Sequence, residues 1–415
     1  MSRLLISWGS VRRAHAAIIA VIVCTLIAIS LLNVNPPASY NSKDVISIED
    51  HVLAQADKAA VLLDRTGRSS RKSDSQDTGT QPDETSYHPE GGDSGTQCPT
   101  QKKYGKVAIL VAYVTESYKN HYHVAQQTLY CYVNRTGYDL FLVDLNKDPR
   151  VKKYCQHNQL FFLKHCAAAL YLQDTDWLVV LDADTAIVNP NRCLEEYIDP
   201  RFELILYERF FNWEIASGNY IVRNTPFGKK FLLDWADYQY EQHNGFTGAD
   251  NGVLQLHLLK TILPEARHEA QICDKIWRNA TEYNSYMAYV TCCKVARGAK
   301  YEWDKVKIYR RAHGWVQDWF ITGDRWCSSN FMFHGWKANK LGDGGWNSPF
   351  ERLPAGEECE PGRRWPWRTE NRVSCDRVRQ HISATEKGSA AGFPKEARVL
   401  PYLRHADVGS CWPKC

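Results

Sequence analysis

The sequence predicts an α/β fold in which a mostly parallel sheet is flanked by helices. Three observations predict it: continuous apolar runs, helical spacing between them, and no internal repeat. KVAILVAYV, Lys106 to Val114, is apolar at nearly every position, as expected of a strand buried on both faces. Helical spacing follows over His123 to Val133. YDLFLVDL, Tyr138 to Leu145, reads as a second strand and Asn158 to Leu172 as a longer helix. DWLVVLDAD then makes a third strand that ends on two aspartates, Asp182 and Asp184. Strand, helix, strand, helix, strand implies parallel pairing with helices on both faces. Further strands are expected at Phe202 to Glu208 and Asn219 to Asn224, and helices at Phe227 to Gln242 and Asn251 to Leu259.

Composition sets the class of protein. Of 415 residues, 44% are hydrophobic and 12% aromatic, with 14 Trp against 3 Met, which is a globular composition. The 51 basic and 47 acidic residues leave a formal charge of +4, too balanced for a nucleic-acid binder.

The chain divides into five parts. Residues 1–13 hold Arg3, Arg12 and Arg13, and no Asp, Glu, Lys or Arg follows until Lys43. Residues 14–34, with AAIIAVIVCTLIAISLL, are expected to cross a bilayer as a signal anchor, since spanning takes roughly 17 to 25 apolar residues. A cleaved signal peptide usually has an apolar core of only about 7 to 15. The three arginines should stay cytoplasmic and send the remainder to the far side. Residues 35–103 are polar and rich in Gly, Ser, Thr and Asp, as expected of a flexible stem. Residues 104–347 are the expected catalytic domain, and 348–415 a Cys-rich extension stapled to it.

Thirteen of the 14 Cys lie beyond the anchor, which fits disulfides in a secretory compartment; the odd number leaves at least one unpaired within the chain. Cys292 and Cys293 are not expected to bond each other, and no CxxC pair has zinc spacing. Asn134-Arg-Thr and Asn279-Ala-Thr are glycosylation sequons compatible with that compartment.

In open parallel sheets, ligands sit beyond the carboxyl ends of the strands, where Asp182 and Asp184 fall. Two neighbouring carboxylates repel unless cations or protons compensate, and Mg²⁺ or Mn²⁺ suits carboxylate oxygen. Such an ion could grip a diphosphate. The plainer reading is a solvated turn. A strand followed by Asp-x-Asp-Thr also opens haloacid-dehalogenase-like phosphatases, but there the motif sits on the first strand, and here two strands precede it. Downstream, IASGNYIVRN, FTGADNGVLQLHLL and FMFHGWK add Asp250 at a helix start, and His334 and Lys337 around Gly335.

Taken in order, LDAD, SGNYIVRN, GADNGVL and FMFHGWK resemble the metal-dependent GT-A glycosyltransferases of family thirty-four, which include yeast galactosyl- and mannosyltransferases and plant xyloglucan xylosyltransferases. They resemble still more a set of nematode-type nucleotide-diphospho-sugar transferases of unknown function. The resemblance covers about Tyr104 to Asn347. It implies a GT-A fold, Rossmann-like, and a type II Golgi membrane enzyme that transfers a sugar from a UDP- or GDP-linked donor to a lumenal glycan, with retention. It implies that Asp184 and His334 bind Mn²⁺ (or Mg²⁺) and that Asp182 holds the ribose and a metal-bound water. Lys337 and Gly335 would meet the diphosphate, Ala112, Val114 and Thr115 the nucleoside, and Ser217, Gly218 and Asn219 the donor sugar. Asp250 is the candidate acidic group near the anomeric carbon, with a helix N-cap as the alternative. Trp213, Glu214, Trp315, Asp318, Trp319 and Trp336 are candidates for the acceptor, because sugars stack on aromatic rings; for each tryptophan the core is the duller reading. Lys164 could reach a donor phosphate, but reads more simply as a surface lysine, and His121 and His123 as a solvated face. A non-catalytic, lectin-like protein on the same fold is the competing function.

Overall fold

The computed structural model describes Cys98, residues 103–341 except 211 and 299, and residues 348–392. The expected cytoplasmic tail and anchor, nearly all of the expected stem, and Cys411 and Cys415 lie outside the described residues. Among the described residues no helix is long and apolar enough to cross a membrane.

The strands are β1 (Val107–Tyr113), β2 (Asp139–Asp144), β3 (Trp177–Leu181), β4 (Ala186–Ile187), β5 (Leu204–Tyr207), β6 (Tyr220–Arg223), β7 (Val306–Tyr309), β8 (Val316–Asp318) and β9 (Met332–His334). The helices are α1 (His123–Thr136), α2 (Pro149–Tyr154), α3 (Leu160–Tyr171), α4 (Pro226–Asp237), α5 (Ala249–Ile262), α6 (Arg267–Arg278), α7 (Tyr283–Arg297) and α8 (Cys375–Gly392).

Six strands form the main sheet in the order β2-β1-β3-β6-β5-β7. β1 pairs parallel with β2 and β3, and β5 with β7, while β6 runs antiparallel to both of its neighbours. That reversal brings the amino end of β6, and the Ser-Gly-Asn before it, beside the carboxyl end of β3. A second sheet, β4-β9-β8, has β4 antiparallel and β8 parallel to β9.

Successive strand side chains point to opposite faces. Ala108, Leu110, Leu178 and Val180 accordingly pack with Phe162 of α3, Trp235 of α4, Leu254 of α5 and Trp277 of α6. Val107, Ile109, Val111, Val179 and Leu181 pack on the other face, with Leu129 of α1, Met332 and Phe333 of β9, and Phe350, Trp365 and Trp367. The described C-terminal residues thus share the core under β1 and β3. Cys131–Cys359 and Cys327–Cys375 tie them to α1 and to the loop before β9. Cys98–Cys193, Cys155–Cys166 and Cys273–Cys292 are the other described bridges, and Cys293 is a buried thiol whose pKa is pushed up by burial to about 12.

Candidate functional site

The small sheet is what gathers the site. β3 ends at Leu181, and the chain then runs through Asp182 and Asp184 straight into β4. β4 pairs with β9 in the register Ala186↔Phe333, and the Trp336 N–H donates to the Asp184 carbonyl at 2.8 Å. These contacts lay the segment carrying His334 against the segment carrying the aspartates. β8 pairs with β9 so that Asp318 stands beside His334.

One ligand atom from each of Asp182, Asp184 and His334 falls within 4.8 Å of the others. His334 Nε2 lies 3.4 Å from both Asp182 Oδ2 and Asp184 Oδ1. Its Nδ1 lies 3.0 Å from Asp318 Oδ1, and Arg209 Nη2 reaches the same oxygen at 3.4 Å. Asp318, a carboxylate, therefore accepts a hydrogen bond from Nδ1–H and turns Nε2 toward the aspartates, the arrangement by which metal-binding histidines are oriented. Burial opposes a charge on His334, but Asp184, Asp182 and Asp318 together push its pKa up to about 10. Burial likewise opposes the Asp182 charge, yet Lys164 and His334 hold its carboxyl well below the usual range. Two carboxylates and one imidazole of fixed orientation fit a hard divalent ion. Lys337 Nζ stands 3.6 Å from Asp184 Oδ2, so a fixed cation already flanks this group.

The Ser217–Asn219 turn packs directly on Asp182. Asn219 Oδ1 accepts from the Asp182 N–H at 3.1 Å and from Thr185 Oγ1 at 2.9 Å. The Ser217 N–H donates to Asn251 Oδ1 at 2.9 Å. A Cβ on Gly218 would lie 1.7 Å from Asp182 Oδ2, so only glycine fits while that carboxylate keeps its place. For a divalent ion held by Asp182, Gly218→Ala is expected to push that carboxylate aside and weaken Mn²⁺ binding by about 10- to 100-fold, the scale seen when ligand-orienting contacts are lost. Isothermal titration with Mn²⁺ checks it, and wild-type affinity would contradict this placement.

Lys164 corrects the reading of a surface lysine. It is buried on α3, with Nζ 3.1 Å from Asp182 Oδ1 and 3.2 Å from Asp250 Oδ2. Asp250 is not a helix N-cap either: Gly248, at φ +71°, holds that position, and Asp250 is the second residue of α5. Its carboxylate turns inward, to Lys164 and to His165 Nε2 at 3.1 Å. Burial works against the Asp250 charge, and Lys164 and His165 hold its pKa below the usual value.

Most of the acceptor candidates are buried among protein partners. Trp315 is 1% exposed and set edge-on to Tyr197, Tyr207 and Tyr309, so it offers no face to a sugar. Trp336 is buried and stacked on Phe350. Glu214 is buried, bonded to Tyr286 and Asn212, and Trp213 is covered by the Arg311 guanidinium, 4.8 Å from its ring centre. Asp318 orients His334, as described above. Trp319 is half-buried beside it in sequence. Ala112, Val114 and Thr115 are half-buried at the carboxyl end of β1, where Thr115 Oγ1 bonds Asp144 and accepts from Lys147 Nζ at 2.7 Å. Gly335 is buried with φ +90° between His334 and Trp336. Asn134 and Asn279 are both exposed. Sequence reasoning missed His165, Arg209 and Tyr220; a histidine beside Lys164 on an apolar helix was the available signal.

Among solved structures, the chain is similar to a glycosyltransferase involved in glycosylation of the major capsid of PBCV-1, at 17% identity and a TM-score of 0.25, covering 33% of this chain and 68% of that one. It is also similar to the glycosyltransferase GlyE of Streptococcus pneumoniae TIGR4. The apo form matches at 14% identity and a TM-score of 0.27, covering 41% of this chain and 50% of that one. A second GlyE structure matches at 13% and 0.26, covering 45% and 60%. No curated protein matches the sequence. Residues 129–346, which include Asp182, Asp184, Asp250 and His334, match the model of the family described as protein of unknown function, DUF273, and the chain belongs to that family.

Proposed function

We propose that the protein is a metal-dependent glycosyltransferase that moves a sugar from a nucleotide-diphospho-sugar to a glycan. One observation carries the reading: Asp182, Asp184 and His334 converge within 4.8 Å at the carboxyl edge of the sheet, with Lys337 Nζ 3.6 Å from Asp184. In this reading Asp182, Asp184 and His334 hold Mn²⁺ or Mg²⁺, which when bound supplies charge stabilisation to a departing diphosphate. Lys337 adds a second cation for the same phosphates. Ala112, Val114 and Thr115 offer the nucleoside a neighbouring edge of the sheet, and the Ser217–Asn219 turn borders the donor sugar. Asp250, two side chains away through Lys164, is the acidic group assigned to the reacting centre.

UDP or GDP as the nucleotide, retention, and a Golgi membrane setting with a lumenal catalytic domain at 104–347 belong to the same reading. The apolar segment at 14–34, the described disulfides and the two exposed sequons support the compartment.

The test is release of nucleotide by the purified full-length protein from a panel of UDP- and GDP-sugars, with Mn²⁺, Mg²⁺ or EDTA. Hydrolysis of one donor class that EDTA abolishes is expected. No metal-dependent hydrolysis or binding of any donor would sink the proposal.

A further inference from the structure

Asp250 is held by more than its ion pair. His165, fully buried on α3, places Nε2 3.1 Å from Asp250 Oδ2 and Nδ1 3.0 Å from the Tyr220 hydroxyl. Its ring lies flat on Trp235, with centres 3.6 Å apart and planes 15° from parallel. Trp235 in turn donates its Nε1–H to the Asp250 backbone carbonyl at 2.9 Å. Upstream, Gly248 at φ +71° and Ala249 at φ +49° are consecutive left-handed residues, an unfavourable conformation for the alanine, and they deliver Asp250 into this cage.

We propose that His165 is the positioning residue of the reacting centre, fixing the Asp250 carboxylate through a single Nε2–H tautomer in a ring that Tyr220 and Trp235 hold in place. The proposal rests on the reading of Asp250 given under the proposed function. A carboxylate is an acceptor only, so Nε2 must carry the proton it shares with Oδ2. Nδ1 is then a lone pair, and the Tyr220 hydroxyl donates to it. Burial lowers the pKa of His165 to about 4, which keeps the ring neutral and compatible with that assignment. Lys164 reaches the same oxygen, Oδ2, at 3.2 Å. Both donors therefore converge on Oδ2, and Oδ1 is the oxygen assigned to the substrate. A lysine alone leaves a carboxylate free to swing about its own axis, because an ammonium is a compact charge with rotatable donors. A stacked imidazole does not.

Two readouts test this. Nitrogen-15 NMR of histidine-labelled full-length protein at pH 6.5 should show one neutral Nε2–H imidazole that disappears in His165→Gln. An Nδ1–H tautomer or an imidazolium at that position would overturn the proposal, whether or not the protein transfers sugar. In donor hydrolysis, His165→Phe keeps the stack but loses the donor, and kcat should fall about 10- to 100-fold, the scale for lost orienting contacts. KM for the nucleotide sugar should stay within about twofold, since ground-state binding is untouched. His165→Gln, which restores an N–H donor, should recover most of the loss. A merely structural role predicts equal damage from both, and that result, or wild-type kcat in His165→Phe, refutes the idea. Should His165→Phe fail to fold, Tyr220→Phe deletes a single hydroxyl: Asp250 should keep the Nε2–H tautomer, the Nδ1 resonance should shift as it loses its donor, and kcat should fall by less than in His165→Phe; an unshifted Nδ1 resonance or an unchanged kcat refutes the proposed pinning. An inactive wild type would instead refute the glycosyltransferase reading and leave the NMR to decide this one.

Discussion

Asp184→Asn and His334→Ala are each expected to lower Mn²⁺-dependent donor hydrolysis by about 10³-fold. The size follows from what a bound cation contributes to a phosphate leaving group: several kcal/mol of charge stabilisation, with each ~1.4 kcal/mol worth a factor of ten in rate. Asparagine preserves the shape of Asp184 but removes the anionic oxygen that lies 3.4 Å from His334 Nε2. Alanine at 334 removes the imidazole nitrogen outright. Mn²⁺ affinity by calorimetry and kcat/KM for the donor should fall together. Asp318→Asn supplies the graded control. It leaves Asp182, Asp184 and His334 in place and disturbs the Nδ1 contact at 3.0 Å together with the Arg209 pair at 3.4 Å, so its loss should be about 10- to 100-fold. Full activity in Asp184→Asn or His334→Ala would mean that the three residues converge for stability alone.

Much of the main sheet was legible, and the reason is physical. β1 and β3 are buried on both faces, so their residues cannot be polar, and a continuous apolar run survives in the sequence. The aspartates at the tip of β3 were legible for the converse reason, as charges placed where a buried run ends. β6 was expected as a strand, but its direction was not legible, because strand patterning is the same read either way. α6 and α7 were missed, although they close one face of the core. The small sheet was invisible: β4 has two residues and β8 and β9 three each, too short for any periodicity. Yet it is this sheet that sets His334 beside Asp184, so only the resemblance, and no spacing, linked the two. Tryptophan is ambiguous in sequence, because the same residue packs a core or stacks on a sugar. Trp315 and Trp336 are buried in the core close in sequence to Asp318 and His334, and Asp318 meets His334 at 3.0 Å.

Lys164→Met should destabilise the protein by about 3 to 5 kcal/mol, the usual cost of removing one partner from a buried ion pair. Exposed pairs contribute only ~0 to 1 kcal/mol, so burial decides the size. The Lys164 side chain is 8% exposed and Asp250's 5%, while Asp182's is 25%. Burial lowers the tendency of Lys164 to hold its proton, but Asp182 and Asp250 outweigh it and raise the pKa, so the ammonium persists. Methionine fills the volume of the stem and leaves both carboxylates without that cation. Denaturant midpoints in EDTA should show the full loss. Two repairs should each recover part of it by different routes. Asp250→Asn in the Lys164→Met background removes one of the stranded charges, so the double variant should be more stable than the single one. Mn²⁺ returns positive charge to Asp182, and at ~100-fold excess over its dissociation constant a bound ligand stabilises the folded state by about 2.7 kcal/mol. The asparagine repair should therefore persist in EDTA and the manganese repair vanish there. A Lys164→Met variant that loses less than ~1 kcal/mol would behave as an exposed pair, and the bridge between Asp182 and Asp250 would then be a contact without energetic weight.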